Sequence, residues 1–302
     1  MSNTLTPVSA AERGPFWRVY SLGVVAAVAL GLMTAEPALP STEASDHRTP
    51  LERYRPVLRY DSAERHFAQP VGPVGRRARG GTGERIYGHL AREDGQTWLQ
   101  YWLFYAYNPQ DRGLLRTGRH EGDWEFLQLR LGDDGRPDLA TLAQHSWAEG
   151  CRWSELARQR VGGDEAPVVF IANGSHATYS QPGTHDRPFP DPNDEADGHG
   201  GRTRPPLEVI DDDRPAWVAD RGRWGNSRAA VIPGEQSSPH GPRFQEDGRW
   251  QQPASYHHEQ TIPCGAAPPR RTWQTVLTLA LALLMVGGVG AVGVRRYAAG
   301  RH

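Results

Sequence analysis

The pattern of hydrophobic and polar positions divides the chain into a polar middle flanked by two apolar segments. Ser21 to Ala35 (SLGVVAAVALGLMTA) is apolar behind Arg13 and Arg18, and Trp273 to Val294 runs 22 residues without a charge. Between them lie short apolar runs, TWLQYWLFYAYN, DWEFLQLRL, APVVFIAN and PAWV, separated by Gly, Pro and Asp. Runs this short, rich in aromatic and branched residues, predict strands. Trp98 to Tyr107 is apolar on both alternate faces, the pattern of a central strand, and Gly132-Asp133-Asp134-Gly135 predicts a turn after Leu131. One short helix is expected over Trp153 to Arg160. Residues 180–206, dense in Pro, Gly and Asp, read as a long solvated loop. The fold class is mostly β, a β-sandwich with long loops over residues 51–258.

The apolar ends change this picture from a plain domain to a tethered one. The first suits a signal peptide or a signal anchor over residues 1–35, and both readings stand. The second, at ~1.5 Å per residue, reaches ~33 Å and so predicts a transmembrane helix over 273–294. Arg295, Arg296 and Arg301 follow it, so the positive-inside rule gives a cytoplasmic tail over 295–302 and places residues 36–272 outside. The expected location is the cell membrane, with the main domain extracytoplasmic and the C-terminus cytoplasmic. Residues 36–50 read as a linker and 259–272 as a stalk. Net charge is −1, which gives no basic field for nucleic acid. Cys151 and Cys264 both fall in the exported part, where an even count permits one disulfide, with two buried thiols as the alternative.

Candidate chemistry concentrates in Arg119-His120-Glu121-Gly122-Asp123-Trp124-Glu125-Phe126. On a strand, Asp123 and Glu125 share a face with Leu127 and Leu129, and two anions on a partly buried face need a cation or an arginine beside them. His120 has the opposite parity, but Gly122 permits a bend that turns the imidazole back. Asp111, on the turn before the strand, closes the set. One imidazole among three carboxylates suits calcium, magnesium or manganese; the alternative is an ion-pair network with Arg119 or Arg130. His145, Ser175 and His176 are candidate ligand-binding residues by their loop contexts. Ser175 lacks the frame of a nucleophile elbow.

At these residues the chain resembles the vacuolar protein sorting-associated protein 62 family. The pieces that carry the likeness are YRPVLRYDSAERHFA, LQYWLFYAYN, GRHEGDWEFLQLRL, AQHSW, PVVFIANGSHATY, GRWG and SPHGPRFQ. A more distant likeness is to the necrosis- and ethylene-inducing-peptide-like proteins, whose H-x-x-D-x-E frame is kept by His120, Asp123 and Glu125. Gly122 and Glu121 depart from that signature. The distant likeness implies a β-sandwich holding a divalent cation and binding sphingolipid sugar headgroups, with Asp111 as the further metal ligand.

These readings lead to a membrane-tethered extracytoplasmic domain that contains a divalent cation and binds a cell-envelope glycan or lipid headgroup. Two alternatives stay open: a metal-dependent hydrolase, with Asp123 or Glu125 as general base, and a structural envelope protein without ligand.

Overall fold

The computed structural model describes residues 49–72, 81–110, 118–188, 191–225, 238–268 and Ala280, all within one compact unit, His47–His302. The signal or anchor segment and Asp111 lie outside the described residues, as does the expected transmembrane helix except for Ala280. Among the described residues, no helix is long and apolar enough to cross a membrane.

The domain is mostly β. A short helix α1 (Pro50–Arg53) leads into β1 (Val57–Tyr60), β2 (Ile86–Glu93), β3 (Gln96–Asn108), β4 (His120–Leu131), β5 (Pro137–Gln144) and β6 (Trp147–Arg152). Then come β7 (Arg158–Val161), β8 (Asp164–Ile171), β9 (Thr178–Tyr179), β10 (Gly183–His185), β11 (Asp194–Ala196), β12 (Arg202–Thr203) and β13 (Leu207–Val209). Helix α2 (Pro253–Gln260) and β14 (Thr261–Pro263) end the described elements. One sheet has the order β13-β2-β3-β4-β5-β6-β14; a second runs β12-β1-β8-β7, with β9 also paired to β8. Strands β10 and β11 form a separate pair.

The two main sheets share one core. Leu58, Tyr60, Val169 and Ile171 of the smaller sheet join Leu99, Tyr101, Leu103, Tyr105, Leu127 and Leu129 of the larger. The opposite face of β3 and β4 is also buried, since Trp102, Phe104, Trp124 and Phe126 pack with Trp224, Trp250 and Tyr256. Burial on both sides explains why β3 is apolar at consecutive positions instead of alternating.

Two local expectations are corrected. Trp153 to Arg160 is not a helix: Trp153–Glu155 form a single 3-10 turn, and the chain then extends into β7. Gly162 and Gly163 both take positive φ, at 60° and 93°, in a two-residue turn that captures the segment as the hairpin partner of β8. Residues 180–206 are likewise not a solvated loop, because β10, β11 and β12 lie within them and Asp194 and Ala196 are buried. Their partners are distant: Arg202 and Thr203 pair with Arg59 and Leu58, which no local pattern signals.

The segment read as a stalk begins inside the fold. Strand β14 pairs in parallel with β6, and Cys264 directly after it is bonded to Cys151, with a Cα–Cα distance of 4.7 Å.

Candidate functional site

The site grows from a bend at the start of β4. Gly122 has φ +65°, and a Cβ there would lie 1.6 Å from the carbonyl oxygen of Trp224, so the position requires glycine for conformation and for space. Past this bend the imidazole of His120 reaches the face of Asp123: Nε2 stands 3.3 Å from Asp123 Oδ1, while Nδ1 lies 2.9 Å from the Gly118 carbonyl. Register places Asp123 opposite Tyr105 on β3.

Three further residues complete the cluster. Asn108, at the end of β3, donates from Nδ2 to Asp123 Oδ2 at 2.9 Å. His176 donates from Nδ1 to the same oxygen at 2.9 Å. It sits after β8 with φ +60°, and its ring stacks on Tyr105 at 3.9 Å and 3°. The other ring nitrogen of His176 is buried without a hydrogen bond among the described residues, 3.7 Å from Glu64 Oε2. Glu64 is fixed by the backbone N–H groups of Arg65, His66 and Gly174, at 2.7, 2.6 and 2.6 Å. The result is a row, Glu64, His176, Asp123, His120, buried between the sheets. At its rim stand two half-buried aromatic rings: His66 lies 6.4 Å from His176 and 5.9 Å from Tyr107.

A second acid, Asp194, lies nearby. Its Oδ2 accepts from Tyr179 at 2.6 Å and faces His145 Nε2 at 2.7 Å, and its Oδ1 accepts from Gln110 Nε2 at 3.0 Å. The backbone N–H of Gln110 donates to Asn108, which ties the two acids into one network.

Charge is distributed unevenly across these acids. Burial alone would raise the Asp123 carboxyl, but hydrogen bonds from His120 and His176 and their charge hold it well below the ordinary range. Asp194 is also held low: burial opposes ionisation, and the charge and hydrogen bond of His145, with Arg187 and Tyr179, overcome it. Glu125 goes the other way. Burial and the adjacent Asp123 charge push it well above the usual carboxylate value. It makes no hydrogen bond or ion pair among the described residues.

The structure therefore brings His120, Asp123 and His176 together, with Glu125 two positions along the same strand. His145 belongs to the Asp194 group, and Ser175 is buried with no hydrogen bond from its hydroxyl among the described residues. Arg130, expected as an alternative partner for the carboxylates, instead pairs with Asp138 at 2.6 Å. Glu64, Asn108, Tyr179 and Asp194 were not legible as site residues. Only Asn108 carried a signal, a polar side chain closing an apolar run. Among the described residues, the one trio of ligating atoms lying within 4.8 Å of one another is Glu149, Cys151 and Cys264. Two of these are spent in the disulfide, so this trio is not a metal site.

The chain is a distant homologue of two yeast proteins. It is 32% identical over 117 residues to the vacuolar protein sorting-associated protein TDA6 of Saccharomyces cerevisiae, a match covering 32% of this chain and 25% of that protein. It is 28% identical over 113 residues to vacuolar protein sorting-associated protein 62 of the same yeast, covering 32% and 24%. The match thus spans about a quarter of either relative. No family model matches the chain. Among solved structures, it is similar to NLPPya in complex with mannosamine, at 12% identity and a TM-score of 0.39 over 74% of this chain and 96% of that one. It is similar also to the non-toxic HaNLP3 protein, at 12% identity and 0.38 over 72% and 92%. Superposition at this level carries no functional weight.

The Asp194 group yields a pH prediction. Its folded pKa lies below the unfolded value of ~3.9, so its contribution is complete above that value and is lost as pH falls below it. Urea midpoints of wild type and Asp194→Asn should therefore differ clearly at pH 5, where the carboxylate is ionised. The gap should narrow below about pH 4. A gap that stays unchanged down to pH 3 would mean that the ionised form gains nothing from its partners. Tyr179→Phe should cost about 1–2 kcal/mol by removing a donor from this buried acid.

Proposed function

We propose that this chain is a membrane-tethered, extracytoplasmic β-sandwich that binds a glycan or lipid headgroup of the cell envelope, with a divalent cation at the Asp123 centre. The observation that carries the reading is the buried row Glu64, His176, Asp123, His120 beneath the half-buried rings of His66 and Tyr107. Aromatic rims over fixed polar groups are how binding sites orient a ring-shaped ligand. The tether rests on the uncharged run 273–294 and its arginine flank.

The cation has a specific motive in the residues present. His120 Nε2 and Asp123 Oδ1, 3.3 Å apart, are spaced as two ligands of one ion would be. Glu125, two positions along the same strand, makes no hydrogen bond among the described residues, and only the charges of Arg249 and Arg187 oppose its own. These residues would hold the ion, with Asp111 as a fourth ligand. A mixed set dominated by oxygen favours calcium, magnesium or manganese. A bound cation would supply a positive charge for sugar hydroxyls or a phosphate to face.

A second reading is favoured by one fact: three side-chain nitrogens already face Asp123, those of Asn108, His120 and His176. On that reading the cluster is an ion-free hydrogen-bond network. Thermal melts of the purified chain separate the two. Under the cation reading, chelator lowers the melting temperature and calcium, magnesium or manganese restores it. The stabilisation is RT ln(1 + [L]/Kd), about 2.7 kcal/mol at a hundredfold excess over Kd. Asp123→Asn and Glu125→Gln each abolish the response. If chelator leaves the melt unchanged and no metal co-purifies, the ion-free network is correct.

A further inference from the structure

A second constellation lies at the far end of the domain. Asp123 is near the start of β4, whereas this group gathers past its end, around the β4–β5 turn, α1 and the β7–β8 turn. Leu131 is eight residue steps along the strand from Asp123, roughly 27 Å at ~3.4 Å per step. Here Arg53, Arg136 and Arg160 line a cavity of about 440 Å³ together with Tyr54 and Trp153. The volume falls within the range of small-molecule sites, about 300–1,000 Å³.

Its charge is not balanced from within. Of the two acids in the wall, Asp164 lies 4.0 Å from Arg53, and Glu165 lies 3.9 Å from Arg158, which is outside the lining. Arg136 and Arg160 have no ion pair among the described residues, and both are exposed. Two guanidinium groups thus line one cavity outside any ion pair, although Glu165 stands opposite Arg160 in the β7–β8 hairpin. Guanidinium forks match carboxylate and phosphate oxygens in bidentate geometry.

The aromatic wall is fixed in place. Trp153 packs against the main core and meets Tyr54 edge to face at 6.0 Å and 81°, while remaining half-exposed. The Arg158 guanidinium stands over this ring, 5.7 Å from its centroid, so the part of the indole left exposed sits beside a polar rim. The turn at Gly163 adds no side chain, which keeps the cavity open.

We infer that this cavity is a separate binding site for an anionic sugar, whose ring lies against Trp153 and whose carboxylate or phosphate is taken by Arg136 and Arg160. The two features select together. An inorganic anion satisfies the arginines alone, and a neutral sugar the indole alone.

Calorimetric titration of the purified full chain with four probes tests this: glucuronate, glucose 6-phosphate, glucose and inorganic phosphate. The first two should bind, and the last two should bind at least tenfold more weakly. The double variant Arg136→Gln, Arg160→Gln alters two exposed side chains, so it should melt as the wild type does, yet bind both acidic sugars at least tenfold more weakly. Chelator should leave the binding unchanged, which separates it from the Asp123 centre. The inference is overturned if the double variant keeps its affinity, if glucose or phosphate binds as tightly as the acidic sugars, if chelator abolishes the binding, or if no probe binds.

Discussion

Gly122→Ala is expected to destabilise the domain by about 3–5 kcal/mol, because two independent penalties fall on one methyl group. The first is conformational. With φ at +65°, an L-residue in the left-handed region costs roughly 1–2 kcal/mol. The second is steric. The new Cβ would lie 1.6 Å from the Trp224 carbonyl oxygen and 2.8 Å from its carbon, both backbone atoms that no rotamer change can remove. Trp224 would have to withdraw, and its ring packs against Phe104, Trp124 and Trp217. Gly225 repeats the arrangement from the other side, with a Cβ position 2.4 Å from the Glu121 carbonyl oxygen. Urea unfolding would read the loss of stability, and near-ultraviolet circular dichroism the loosened tryptophan cluster. A loss under about 1 kcal/mol would show that the 222–225 segment can move off β4 without cost.

Removing the disulfide, as Cys151→Ala with Cys264→Ala, is the second large effect. The bridge closes a loop with a sequence separation of 113, for which chain-entropy arguments give about 4–5 kcal/mol. Strain and residual structure in the unfolded chain commonly lower such values. The double variant should unfold at clearly lower urea concentration, and reductant should shift the wild type to the same midpoint. A wild-type midpoint indifferent to reductant would mean that the bridge is not formed in the protein as purified.

The sequence was most informative where burial imposes a pattern. The consecutive apolar positions of β3 could be read as a central strand because both its faces are covered. The shared face of Asp123, Leu127 and Leu129 followed from strand periodicity alone, and so did the need for something to compensate the carboxylates. What escaped was whatever depends on distant partners. Asp194 sits in a stretch of Pro, Gly and Asp, and its distant contacts, Tyr179, His145 and Gln110 among them, make it a buried acid. Glu64 looks like one more polar residue in a turn until Gly174, 110 positions away, donates to it. The short strand after Trp153 has no local signal, because an arginine-rich polar segment has no periodicity of its own and its conformation is set by the hairpin with β8.

Both edges of the large sheet are closed by three-residue strands running parallel to their neighbours, β13 on β2 and β14 on β6. At the second edge the covalent link follows at once, since Cys264 is the next residue after β14. Tension applied to the chain beyond residue 264 is therefore delivered through a sulfur–sulfur bond into Cys151 on β6. It does not peel β14 away one hydrogen bond at a time. Under oxidising conditions the domain should bear load as a single block, and a reducing agent would turn the same terminus into a pull tab.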